Sequence, residues 1–172
     1  MNQLHATREY ETKEQRKQRI HITFQSFDTD KNGTIELNEF IQGLSTYFNI
    51  QNLPTAETYK KFFTTMFNMC DKGGLFRRKN GKLELDEFER IADAMPLKFS
   101  RNVKVNLAHM MFNIIDKDRS GKISKRELSR FLKHCDFLKV VKNIFINDLD
   151  ENGDGKIDFD EFFAWFVKFD IE

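Results

Sequence analysis

The run Asp150-Glu151-Asn152-Gly153-Asp154-Gly155-Lys156-Ile157-Asp158-Phe159-Asp160-Glu161 decides how the rest of the chain is read. Asp150, Asn152 and Asp154 place short oxygen-bearing side chains at alternate positions. Gly155 follows where the backbone must turn sharply, then come the Lys156 carbonyl, the apolar Ile157, Asp158 and the closing Glu161. A twelve-residue loop with this spacing wraps a hard cation in oxygens: three early side chains, one backbone carbonyl, a ninth-position ligand and a two-oxygen carboxylate at the end.

The same spacing recurs upstream. Asp28, Asp30, Asn32, the Thr34 carbonyl, Glu36 and Glu39 fill the ligand positions of a first loop, with Gly33 at the turn and Ile35 after it. Asp116, Asp118, Ser120, the Lys122 carbonyl, Ser124 through water and Glu127 fill those of another. This last loop has three carboxylates among its ligands where the other two have four, and Lys117, Arg119, Lys125 and Arg126 crowd it. Fewer ligand charges predict the weakest affinity of the three.

A further loop is announced but spoiled. Phe63, Phe67 and Cys70 repeat the register of Ile20, Phe24 and Phe27, so Asp71 should open it. Counting back from Gly81, Leu83, Glu84 and Glu87 puts the start five residues later, at Phe76. The two registers imply a loop from Asp71 to Glu87 with an insertion carrying Gly73, Gly74, Arg77, Arg78 and Lys79. Three cations near the ion position oppose a divalent metal, and the early ligand geometry is expected to be lost.

Helices flank each loop. A frayed lead-in over residues 1–11 gives way to a helix from about Thr12, with Ile20, Phe24 and Phe27 on one stripe. The basic cluster Arg16–Arg19 reads as a solvated face. Leu37, Phe40, Ile41 and Leu44 face inward after the first loop, and Pro54 suits the first turn of the helix that carries Tyr59 and Met66. Leu85, Phe88, Ile91 and Ala92 follow, and the helix stops near Met95-Pro96. Ser100 is a reasonable cap for a helix over about residues 101–115. That helix is apolar on two sides, Val105, Ala108, Phe112 and Ile115 on one and Val103, Leu107, Met110 and Ile114 on the other, so it should be buried on both. Leu128, Phe131 and Leu132 follow the third intact-type segment, then Val141, Ile144, Phe145 and Leu149 on a helix from Phe137. Phe159, Phe162, Phe163, Trp165, Phe166, Val167 and Phe169 crowd the last helix on more than one side.

Four loops make two natural pairs, residues 1–97 and 98–172, because a lone helix–loop–helix leaves an apolar face and a short strand unpaired. Ile35 should face Leu83, and Ile123 should face Ile157. The fold class expected is all-α: four helix–loop–helix units in two pairs, each with a short two-stranded contact between its loops. From about Thr12 to Phe169 the chain resembles the EF-hand superfamily, and among its branches the four-EF-hand calcium-binding proteins. The resemblance implies Ca²⁺ at three sites, with Mg²⁺ as a competitor at resting Ca²⁺; glutamate in the twelfth position suits the larger ion. It also implies one of two roles. A calmodulin-like sensor offers a groove to an amphipathic target helix. A compact buffer similar to the sarcoplasmic calcium-binding proteins holds the ion, and the spoiled second loop looks like theirs. Light-emitting photoproteins share the loop pattern but carry several tryptophans, and this chain has 1 Trp.

Composition narrows the field. The chain has 172 residues, 40% hydrophobic and 32% charged, as in globular proteins. It holds 19 Phe against 6 Met, which favours a phenylalanine-packed body over a methionine-rich groove. A net charge of +1 indicates neither nucleic acid nor an anionic membrane as partner. Adding three divalent cations to the formal +1 gives +7, so the loaded form is expected to prefer an acidic partner or surface. No apolar run approaches the ~20 residues that span a bilayer, and no stable membrane anchor is expected. Residues 1–4 show neither a signal core nor a glycine at position 2, and Cys70 and Cys135 have no metal-type spacing, which fits a cytoplasmic location. His5, His21, His109 and His134 form no ligand set. The carboxylates are accounted for by the loops, and no nucleophile–base pair remains, so an enzyme is not expected.

Overall fold

Thr12 opens the first helix because its side chain accepts a hydrogen bond from the Gln15 amide at 3.1 Å while the Gln15 side-chain oxygen accepts one from the Thr12 amide. In this computed structural model, which describes residues 11–51, 56–71, 79–96, 100–134 and 149–168, α1 spans Lys13–Phe27. A loop leads to β1 (Ile35–Glu36) and α2 (Leu37–Tyr47), then α3 (Ala56–Cys70), β2 (Lys82–Leu83) and α4 (Leu85–Ala94). The C-terminal half repeats the plan: α5 (Val103–Ile115), β3 (Ile123–Ser124), α6 (Lys125–His134), β4 (Lys156–Ile157) and α7 (Phe159–Phe166).

The two-residue strands pair antiparallel as the spacing predicts, Ile35 opposite Leu83 and Ile123 opposite Ile157. All four of these side chains are fully buried. Each loop is thereby tied to its neighbour, and the helices before and after it close over one apolar interior.

Phenylalanine fills that interior. Phe24 meets Phe88 edge-on at 5.7 Å, Phe27 lies 5.1 Å from Phe88, and Phe40 lies 5.6 Å from Phe67. In the other half Phe112 meets Phe162 at 5.7 Å. The halves share their core: α4 packs on α5, α3 on α6, and Phe62 meets Phe166 at 5.4 Å. The helix with two apolar stripes is indeed buried on both sides, with α4 on one and α7 on the other. Met95 and Cys70 are buried as well.

Three local expectations are corrected. The cap of α5 is Asn102, which accepts from the Lys104 amide at 2.9 Å; Ser100 is held instead by Asn106, through its amide and its carbonyl. Glu11 is part of the ordered body, its carboxylate 2.8 Å from Arg19. The Arg16–Arg19 cluster is not simply a solvated face, because both arginines grip Asp93 on α4. Pro54, the Gly73–Arg78 part of the insertion, Cys135, most of the Phe137–Leu149 helix and Phe169 lie outside the described residues.

Candidate metal centres

The helices that enter the first and third loops end on Asp28 and Asp116, whose backbone amides close the last turn onto the Phe24 and Phe112 carbonyls. Asp28, Asp116 and Asp150 each turn a carboxylate oxygen onto the amide of the sixth-position glycine, Gly33 at 3.0 Å, Gly121 at 2.8 Å and Gly155 at 2.8 Å. The glycines take positive φ, +85° at Gly33 and +82° at Gly155, which glycine adopts at little cost. Fourth-position residues share that handedness, Lys31 at +60° and Arg119 at +58°, so the whole loop curls inward.

At the far end the twelfth-position glutamate sits in the first turn of the exiting helix, where a negative charge is favoured. Glu39 accepts from the Thr29 amide and hydroxyl through one oxygen and from the Glu36 amide through the other. Glu127 bridges Lys117 and Ser124 likewise, and Glu161 bridges Asn152 and Asp158. Burial pushes the Glu39 and Glu127 carboxyls up, but these donors outweigh it and both lie below the usual carboxylate range. Both stay ionised, as a ligand must.

The donor sets fit a hard divalent cation. Oxygens of Asp28, Asp30 and Glu39 lie within 4.8 Å of one another, as do those of Asp116, Asp118 and Glu127. Asn32 Oδ1 accepts from the Thr34 amide while its Nδ2 donates to Asp30, the Ser120 hydroxyl donates to the Lys122 carbonyl at 2.9 Å, and the Ser124 hydroxyl donates to Glu127 at 2.7 Å. Burial raises the Asp116 carboxyl against hydrogen bonds from Gly121 and Ser120, while the Ser120 hydroxyl lowers Asp118. In the fourth loop, Asp150 Oδ1 is buried with no hydrogen-bond donor, an acceptor that a cation would satisfy. Asp158 caps α7 and accepts from the Glu161 amide. Among the described residues the fourth loop does not gather three acids as tightly as the other two, and its Asp154 is paired with Lys122.

The second loop keeps part of its frame across the insertion. Asp71 is its first residue, for its carboxylate takes the Gly81 amide at 3.0 Å and the Asn80 amide at 3.3 Å, as Asp28 takes Gly33 and Asn32. Asn80 Oδ1 accepts from Lys82, and Glu87 accepts from Glu84, so the later half keeps its frame. The insertion is spanned by a hydrogen bond that no count along the chain reveals. Lys79 turns away, its ammonium on the Asn68 carbonyl at 2.6 Å.

Beyond the loops, Asp93 was not singled out by its sequence. Its carboxylate meets Arg16 at 2.6 Å, Arg119 at 2.7 Å and Arg19 at 3.1 Å. Burial works against the charge, but the three guanidiniums prevail and hold the carboxyl below its ordinary range.

Paired helix–loop–helix units with oxygen-lined loops and a short strand between them define a class of cation-binding protein. A profile of the EF-hand domain pair matches residues 106–167, and one of a single EF-hand domain matches 19–49. The probable calcium-binding protein CML13 of Oryza sativa is 32% identical over 86% of this chain and 80% of its own length. The 16 kDa calcium-binding protein of Schistosoma mansoni is 31% identical over 83% and 89%, and human centrin-3 is 26% identical over 90% and 84%. The chain belongs to the EF-hand calcium-binding proteins, of the calmodulin-like type. These relatives are named as calcium-binding proteins and a centrin. Among the described residues no helix is long and apolar enough to cross a membrane.

Proposed function

We propose that this protein is a Ca²⁺ sensor that modulates a protein partner, with three binding sites. The first would use Asp28, Asp30, Asn32, Thr34, Glu36 and Glu39. The second would use Asp116, Asp118, Ser120, Lys122, Ser124 and Glu127, and the third Asp150, Asn152, Asp154, Lys156, Asp158 and Glu161. Bound Ca²⁺ supplies a divalent charge that gathers these oxygens around one point.

The observation that carries the sensor reading is the position of Arg119. It stands between two ligands, Asp118 and Ser120, yet its guanidinium is bonded to Asp93 in the other half. Loop occupancy thus bears on the junction between halves, which is what a regulator needs and a store does not. An acidic surface or an amphipathic helix suits the loaded, more basic form as partner. A second reading, a compact buffer, is favoured by Phe162 and Phe166, which are fully buried. Among the described residues the exposed large apolar side chains are Ile22, Leu85 and Val167, too scattered to form a groove.

Dye-reported apolar exposure, measured on adding Ca²⁺ with Mg²⁺ present, separates the two. A large rise is expected; no rise would leave the buffer. Calorimetry on the same samples should count three sites, and a fourth of comparable affinity would restore the Asp71–Glu87 loop as a site.

A further inference from the structure

Two lysines reach out of their own loops onto candidate ligands of the neighbouring loop. Lys122, in the seventh position of its loop, places its ammonium on Asp154 of the fourth loop. Lys82, in the same position of the second loop, lies 3.0 Å from Glu36 of the first. The strand register brings this about. Lys82 stands directly opposite Glu36 in the ladder, and Lys122 immediately precedes Ile123, whose ladder partner is Ile157.

Fold stability does not explain these pairs. Their side chains are 38% and 39% exposed in one and 43% and 51% in the other, and ion pairs so open to water contribute little. Their placement has a different consequence. Lys122 faces not only Asp154 but the field of Asp158 and Glu161, and Lys82 faces Asp30 and Glu39 besides Glu36. Each ammonium therefore sits within the anionic field of three of the four carboxylates of a candidate ligand set.

We propose that Lys122 and Lys82 are tethered cationic competitors that set the Ca²⁺ affinity of the fourth and first loops. The inference rests on reading those loops as Ca²⁺ sites. Asp154 and Glu36 cannot turn fully toward an ion while they hold an ammonium. Once released, the ammonium remains close to a divalent charge, and repulsion by that charge is twice that between unit charges at the same distance. Both effects weaken binding. Lys122 also joins two sites in one residue: its carbonyl, already accepting from Ser120, occupies the seventh position of the third loop while its ammonium holds a ligand of the fourth. Occupancy of one loop then biases the other, a coupling that must act in both directions. The spoiled second loop acquires a role as well, since it delivers Lys82 to the first loop whether or not it binds metal.

The test is a Ca²⁺ titration of the full chain by calorimetry and by amide resonances, with Gly33, Gly121 and Gly155 reporting their own loops. Lys122→Met should tighten the fourth loop about tenfold at low ionic strength, with the gain shrinking as salt rises. Lys82→Met should tighten the first loop by several-fold, leaving the fourth unchanged. Lys122→Arg, which keeps the charge, should stay within about twofold of the parent. Lys125→Met removes the same charge from the start of α6 and should also change the fourth loop by less than about twofold. No change in Lys122→Met, or equal tightening in Lys122→Met and Lys125→Met, would overturn the proposal. A parent protein whose Gly155 resonance ignores Ca²⁺ would instead overturn the assignment of the fourth loop as a site.

Discussion

A β-carbon added at Gly43 would lie 2.5 Å from the Phe27 ring, which is itself held between Phe88 and Phe40. Gly43→Ala should therefore destabilise the protein by about 1–3 kcal/mol, although alanine is the better helix former. Thermal unfolding should show a midpoint several degrees lower, and an unchanged midpoint would mean that the ring can move aside. Nothing in the sequence marks Gly43, because the contact it permits comes from another helix. Gly33 and Gly155 were legible by contrast, since the requirement they meet is local and lies at a fixed place in the loop. Glu161 is a second residue whose role follows from its position. Glu161→Gln keeps the shape and removes the charge, and the fourth loop should lose about a hundredfold in Ca²⁺ affinity, within the range that ligand charge covers. Calorimetry would then count two sites instead of three.

The junction of α1 and α4 illustrates what helical periodicity can and cannot convey. Ile20, Phe24 and Phe27 fall on one stripe and are all buried, so the apolar face of α1 was readable from spacing alone. Its basic face was misread because Asp93 lies 77 residues beyond Arg16 in the chain. The insertion in the second loop was read from its two registers, whereas the Asp71–Gly81 hydrogen bond that spans it is spatial and leaves no mark in the spacing. Asp93 makes a pH prediction possible. Its folded carboxyl is held below the ordinary value, about 3.9, so the unfolded chain takes up its proton first. The stabilisation is present above that ordinary value and is lost as pH falls through the lower folded one. Asp93→Asn should cost about 2 kcal/mol near neutrality, a figure held down by the exposure of Arg16 and Arg119. Denaturant melts should show the gap between parent and variant closing below about pH 4. A gap constant down to pH 2.5 would show that Asp93 acts through packing instead.

We propose the boundary at residues 97 and 98 as the division between two EF-hand pairs, yet the pairs share a core. Phe166, fully buried on α7, meets Phe62 on α3, and α5 is enclosed between α4 and α7. Polar contacts cross the same junction: Arg90 donates to the Ile114 carbonyl and Arg119 to Asp93. With Ca²⁺ chelated, the parent should therefore unfold in a single calorimetric transition, because neither pair can open without exposing the other. Phe166→Ala should cost about 3–5 kcal/mol, the usual penalty for removing a buried ring. Its effect should be uneven, since the ring bridges the halves while Phe162 remains within its own. The variant is expected to show two transitions, the C-terminal pair melting first, and higher dye binding before Ca²⁺ is added. A single transition merely shifted downward would mean that α4 and α5 suffice to couple the pairs. That outcome would place the junction a regulator must open at the Asp93 cluster, with Arg119 as the residue through which the third loop reaches it.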